Sequence, residues 1–168
     1  IMIRLFVLTL LIFVVETLTL NSLDYWHIII PDSFSYFYRG SLITSYCETL
    51  EKLGYTVLLL PWLPIGKSLH IKGFLKAFKK QAKKTATLLN SLQTYGIPLI
   101  GIDPAMTLCL RDEYKHVLSE EELNFKVLLF QEWFEKQTIP PQKPKENTTY
   151  YLLEHCAEKT LIPNSSRL

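Results

Sequence analysis

The chain has 168 residues, 48% of them apolar and 20% charged, with a formal net charge of +2. That length and apolar share fit one globular domain with a full core and exclude a disordered chain. The net charge is too small to imply a nucleic-acid partner or a strongly acidic one.

Residues 1–22 stand apart from the rest. Arg4 precedes Leu5 to Val15, an eleven-residue run that is almost wholly apolar, and Glu16 ends it. A bilayer span needs about 20 apolar residues, so this run is too short to cross one, while an exported protein anchored by residues 1–20 stays open as a further reading. A basic residue before a short apolar run resembles a signal peptide, yet no small-x-small cleavage pattern follows. A buried strand or helix, or a stretch of non-native translation, accounts for the run equally well. Leu23 to Ile30 holds Trp26 and three successive isoleucines, closed by Pro31-Asp32, and reads as a buried strand. Tyr38, Leu42, Ile43, Tyr46, Leu50 and Leu53 recur at helical spacing, which predicts a helix over 36–53 with Gly54 as its stop. A second strand follows over 55–60, ended by Pro61, and Gly66 to His70 reads as a loop. A long helix is predicted over 71–95, stopped by Gly96, and a third strand over 97–102. Asp103 suits the cap of the next helix and Pro104 its first position, with that helix reaching about Leu118. A fourth strand over 125–130, or a strand running into a short helix around Trp133, comes next. The proline-rich stretch 138–147 is a linker or surface loop. A fifth strand over 149–153 leads to His155-Cys156.

Strands and helices alternate from residue 23, and the strands are continuous apolar runs. Both features predict an α/β fold: a Rossmann-like layered sheet of about five mostly parallel strands with helices on both faces. Neither GxGxxG nor GxxxxGK[ST] occurs, so no ready-made phosphate cradle is written in the chain.

In such a sheet, ligands sit outside the carboxyl ends of the strands. Pro31-Asp32, Pro61 to Lys67, Asp103-Pro104 and His155-Cys156 all fall there. His155-Cys156 carries the sharpest chemistry, since thiolate and imidazole both suit iron and zinc. The plainer alternative is a buried thiol beside a satisfied histidine. Cys109, flanked by Met106, Leu108 and Leu110, reads as core. Cys47, Cys109 and Cys156 are far apart, with no CxxC spacing, which fits reduced thiols in a cytoplasmic protein. On a continuous helix Arg111 would share a face with Lys115, and Asp112 one with His116. Those charges are either local ion pairs at a solvated helix end, or Arg111 or Asp112 reaches back to hold a loop at the sheet edge. Lys72, Lys76, Lys79, Lys80, Lys83 and Lys84 form a stripe that reads as a solvated face rather than an RNA-binding one.

The stretch Gly101-Ile102-Asp103-Pro104-Ala105, followed by Arg111-Asp112-Glu113-Tyr114, resembles the G-[LIV]-[DE]-P-[SA]…R-D-E-[YF] segment of a cysteine-rich domain. That domain is shared by glycolate oxidase iron–sulfur subunits, heterodisulfide reductase subunits and large bacterial FAD-linked, iron–sulfur dehydrogenases of the D-2-hydroxyglutarate dehydrogenase type. Pro31 to Phe37 resembles the family's Q-D-P-F-T-S-Y-Y turn, with Pro and Asp transposed. Residues 50–55 and 66–74 resemble the helix, strand and loop that follow, and residues 151–160 resemble its H-C-x-x-[KV] strand end. The resemblance covers about residues 24–163.

It implies an electron-transfer domain over 23–163 with a tail over 164–168. In the family the full protein oxidises a D-2-hydroxy acid at FAD and passes electrons through [4Fe-4S] clusters to a downstream acceptor. The expected partners are the FAD and ferredoxin-like domains of that parent. By resemblance Cys156 is the metal-binding position, with His155 beside it, and Asp103, Pro104, Arg111 and Asp112 support the site. The chain lacks the family's later Cys-Cys-Gly segment, its CxxCxxC segment and its flavin domain, and three scattered cysteines cannot supply four thiolates. It therefore reads as a truncated piece with no cofactor and no turnover of its own. The other reading is a non-catalytic α/β remnant or interaction protein with structural cysteines.

Overall fold

A computed structural model describes residues 25–137 together with Thr149, Tyr151, Leu153, His155 and Cys156. The isoleucine triplet sets the layering. In β1 (Trp26–Ile30), successive side chains point to opposite faces, so Ile28 and Ile30 enter one core and Ile29 the other. A strand apolar on both sides must be covered on both sides, which is why this one sits in the middle of the sheet.

Around it lie β2 (Thr56–Leu59), β3 (Leu99–Gly101) and β4 (Val127–Leu129), in the order β2-β1-β3-β4. All three pairings are parallel: Ile28 stands opposite Leu58 and Leu99, and Ile100 opposite Leu128. The described residues thus form a four-stranded parallel sheet. Of the expected fifth strand, Tyr151 and Leu153 are exposed and in no strand, and its other apolar positions lie outside the described residues.

Two helices, α1 (Ser33–Tyr38) and α2 (Gly40–Lys52), lead from β1 to β2. α2 places Ile43 and Leu50 against Ile29 and Ile100. The crossover from β2 to β3 runs through α3 (Lys67–Ile71) and α4 (Leu75–Gln93), and α4 buries Phe78, Ala82, Ala86, Leu89 and Leu92 on the opposite face. α5 (Pro104–Arg111) joins β3 to β4 on that same face, and α6 (Phe130–Phe134) returns to the α2 face through Trp133. Helices therefore cover both faces of the sheet, as the alternating pattern predicts.

Several boundaries differ from the sequence reading. The helix expected over 36–53 is two helices. Asp32 accepts from the N–H groups of Phe34 and Ser35 at 2.8 and 2.9 Å, which starts α1 early, and Arg39 (φ −134°, ψ 49°) separates it from α2. Residues 66–70 hold a helix rather than a loop. The Gly66 carbonyl accepts from Leu69 and His70, and its φ of +89° suits glycine alone. Gly73 then interrupts the chain, so the long helix begins at Leu75 instead of Ile71. The helix after Asp103 ends at Arg111, and a 3-10 turn over Glu113–His116 follows.

Candidate functional site

The four parallel strands bring their carboxyl ends to one edge, where the loops after β1, β2 and β3 meet. β1 and β3 are neighbours whose connections leave on opposite faces, which is the position of a topological switch point. Asp32 closes β1 there. It is 3% exposed, its Oδ1 caps α1, and its Oδ2 is buried with no hydrogen-bond partner among the described residues.

Asp103 closes β3. Its carboxylate accepts from Met106 N at 2.8 Å, and Pro104 occupies the first helical position, where a missing N–H costs nothing. The glycine of the same stretch has a steric reason. A Cβ on Gly101 would lie 2.0 Å from Thr107 Oγ1, so only glycine lets α5 pack this close to β3. Thr107 in turn donates to the Asp103 carbonyl at 2.8 Å.

Residues 111–114 tie this unit to its neighbours. Arg111 donates to both carboxylate oxygens of Glu132 on α6, at 2.8 and 2.7 Å, and Glu132 also accepts from Leu129 N at the end of β4. Glu113 pairs with Lys67 at the start of α3, with both side chains about four-fifths buried. The Tyr114 hydroxyl donates to the Ile65 carbonyl at 2.8 Å from a fully buried position. Asp112 plays a smaller part. It follows the last residue of α5 and comes 3.7 Å from Lys115; the 3-10 turn at 113–116 breaks the i,i+4 pairs expected of a continuous helix. Glu113 and Tyr114 belong to the stretch that carries the resemblance, but the sequence does not mark them as site residues. Their partners lie 46 and 49 residues away, and no local spacing signals them.

The cysteines occupy three different settings. Cys109 is fully buried. Burial first, and then the Glu113 carboxylate that its thiol meets, push its pKa up to about 12, against the opposing pull of Lys67. That thiol is inert at neutral pH. Cys47 is half-buried on α2, and burial followed by nearby Glu51 raises its pKa as well. Cys156 is exposed, beside an exposed His155. The fifth strand expected to carry this pair to the sheet edge lies mainly outside the described residues. Among the described residues no group of three His, Cys, Asp or Glu side chains could hold a metal ion. This donor set does not fit a complete four-thiolate centre. Nor is any helix among the described residues long and apolar enough to cross a membrane.

No protein-family model matches the chain, and no solved structure does. Curated relatives do. The D-2-hydroxyglutarate dehydrogenase of Escherichia coli K12 is 41% identical over 139 residues, covering 82% of this chain and 14% of the relative. The protein of the same name from Haemophilus influenzae is 40% identical over 148 residues, covering 83% and 14%. The Pseudomonas putida one is 41% identical over 140 residues, with the same coverage. The chain thus spans about one-seventh of the length of these relatives and fits a fragment of that oxidoreductase family.

Proposed function

We propose that the chain is an electron-transfer segment of a flavin- and iron–sulfur-dependent oxidoreductase acting on a D-2-hydroxy acid, without turnover of its own. The identity of about two residues in five to proteins named D-2-hydroxyglutarate dehydrogenase, sustained over four-fifths of the chain, carries this reading. The fold is compatible with it. A parallel sheet gathers its loops at one edge, and residues 111–114 tie the loop after β2 and the helix after β4 to the segment that follows β3. In this reading Asp103, Pro104 and Arg111 hold the rim in shape, while Cys156 with His155 offers one thiolate to a [4Fe-4S] centre completed by other parts of the parent. FAD and the ferredoxin-like clusters belong to those other parts.

The test uses the intact Escherichia coli relative, with serine in place of the thiol residue aligned with Cys156. We expect the substrate to reduce the flavin as before, while electron delivery to an external acceptor falls at least about tenfold. Unchanged acceptor reduction would refute the electron-transfer role. A second reading, a non-catalytic α/β protein with structural cysteines, is favoured by Cys109, whose buried thiol meets Glu113 and is unavailable for ligation. It gains ground on that same result.

A further inference from the structure

α1 runs Ser33-Phe34-Ser35-Tyr36-Phe37-Tyr38, with four aromatic residues in five and no charge. In a helix that served this chain's own core, the aromatics would face inward. Here the buried residue of α1 is Ser35. Phe34, Phe37 and Tyr38 are 63%, 60% and 77% exposed. Their rings lie against one another and against a neighbour: Phe34 is 5.7 Å from Tyr38, and Phe37 is 5.5 Å from Trp62 beyond β2.

The platform beneath them is fixed. Asp32 caps α1 through two backbone N–H groups, and the Trp62 indole donates to the Ser33 hydroxyl at 3.1 Å. A rigid, uncharged aromatic cluster has the composition of an interface centre, and little entropy is lost when it is covered. It stands at the carboxyl end of β1, on the rim that the strand order makes the working edge of the sheet.

We infer that the aromatic face of α1, with Trp62, is a docking surface covered by another part of the same dehydrogenase polypeptide. This rests on the reading of the chain as a segment of such a protein. The occupant follows from length: the matched stretch makes up 14% of each relative, so a far longer polypeptide is tethered to it. Tethering raises the effective concentration of that polypeptide above that of any free partner. The contact is apolar and aromatic, since residues 33–38 offer no charge for an ion pair.

Hydroxyl-radical footprinting read by mass spectrometry tests this on two intact proteins, the 168-residue chain and the Escherichia coli relative. In the chain, Phe34, Phe37 and Tyr38 oxidise rapidly at every protein concentration, while buried Phe78 stays slow. In the relative, the oxidisable residues aligned with α1 react several-fold more slowly than those of α1 in the chain. Equal rates in the two proteins would overturn the inference. So would protection in the chain alone, whether by its own residues 1–24 or, if it grows with concentration, by a second copy. If Phe78 oxidises as fast as Phe34, showing an unfolded chain, the relative decides alone: its α1 positions must then be as slow as the position aligned with Phe78. Flavin and iron contents of the same preparation test the functional reading and do not enter the footprint, so the two fail separately.

Discussion

Replacing Gly101 with alanine probes the junction of β3 and α5 directly. The new Cβ would lie 2.0 Å from Thr107 Oγ1 and 3.0 Å from Thr107 Cβ and Cγ2. Non-bonded heavy atoms prefer a separation of about 3.5–4 Å, so the helix must move or Thr107 must leave its place. Thr107 is 2% exposed and donates to the Asp103 carbonyl, so neither response is free. Overpacking of this kind costs about 1–3 kcal/mol. The loss of unfolded-state freedom on replacing glycine returns about 0.4–1 kcal/mol. The expected net destabilisation is about 1–2 kcal/mol, or a fall in Tm of roughly 3–8 °C. Thr107→Ala alone loses one hydrogen bond and a buried methyl group, costing about 1–2 kcal/mol. Combined, the two changes relieve each other, because the alanine at 107 removes Oγ1 and Cγ2 from the path of the new methyl. Urea denaturation followed by circular dichroism measures all three variants, with an expected coupling of about 1 kcal/mol or more. A neutral Gly101→Ala, or a double variant whose losses simply add, would refute the close-approach account of this glycine.

Three further outcomes follow from the geometry. Arg111→Gln should destabilise by about 1 kcal/mol, since the pair with Glu132 is mostly buried and doubly bonded but not fully dry. In a double-mutant cycle with Glu132→Gln, zero coupling would show that the bridge holds nothing. His27 is 3% exposed, its Nε2 accepts from Trp133 Nε1 at 2.8 Å, and burial lowers its pKa. Its neutral form is therefore favoured on folding, so its contribution is complete above the unfolded pKa of about 6.5 and is lost as pH falls below that value toward the folded pKa. The urea midpoint should drop between pH 7.5 and 5.5, and His27→Gln should flatten that drop; an unchanged slope in the variant would contradict the assignment. In native protein, iodoacetamide should label the exposed Cys156 well before Cys109, which reacts only after unfolding. Comparable rates for the two thiols would contradict the burial of Cys109.

Local chemistry is the part of the structure most readable from the sequence. Asp103 and Pro104 announce a helix start because capping and the missing proline N–H act within one turn. Gly54, in left-handed backbone directly after the cap of α2, ends its helix in the same way, whereas α4 stops at Gln93, three residues before Gly96. The isoleucine triplet of β1 discloses a strand buried on both faces, and hence the parallel sheet. Helix interruptions were harder to read. Apolar spacing runs through Arg39 and through Gly73 without a break, while the backbone breaks at both. The ties among residues 111–114 were half legible: Arg111 stands out as a charge, but Glu132 becomes its partner only once β4 lies beside β3. Trp133 and His27, 106 residues apart, meet across the α2 face, and no pattern in either neighbourhood hints at it. The buried Oδ2 of Asp32, without a hydrogen-bond partner among the described residues, was invisible for the same reason, since burial of a turn residue depends on the loops that close over it.

The proposed electron-transfer role requires the thiol aligned with Cys156 to serve an iron–sulfur centre in the full-length relatives. Iron content and low-temperature electron paramagnetic resonance of the Escherichia coli dehydrogenase, with serine at that cysteine and separately at the position aligned with Cys109, measure this directly. We expect the first variant to lose iron and one cluster signal while keeping its flavin, and the second to keep both. Full iron and an unaltered spectrum in the first variant would contradict the account.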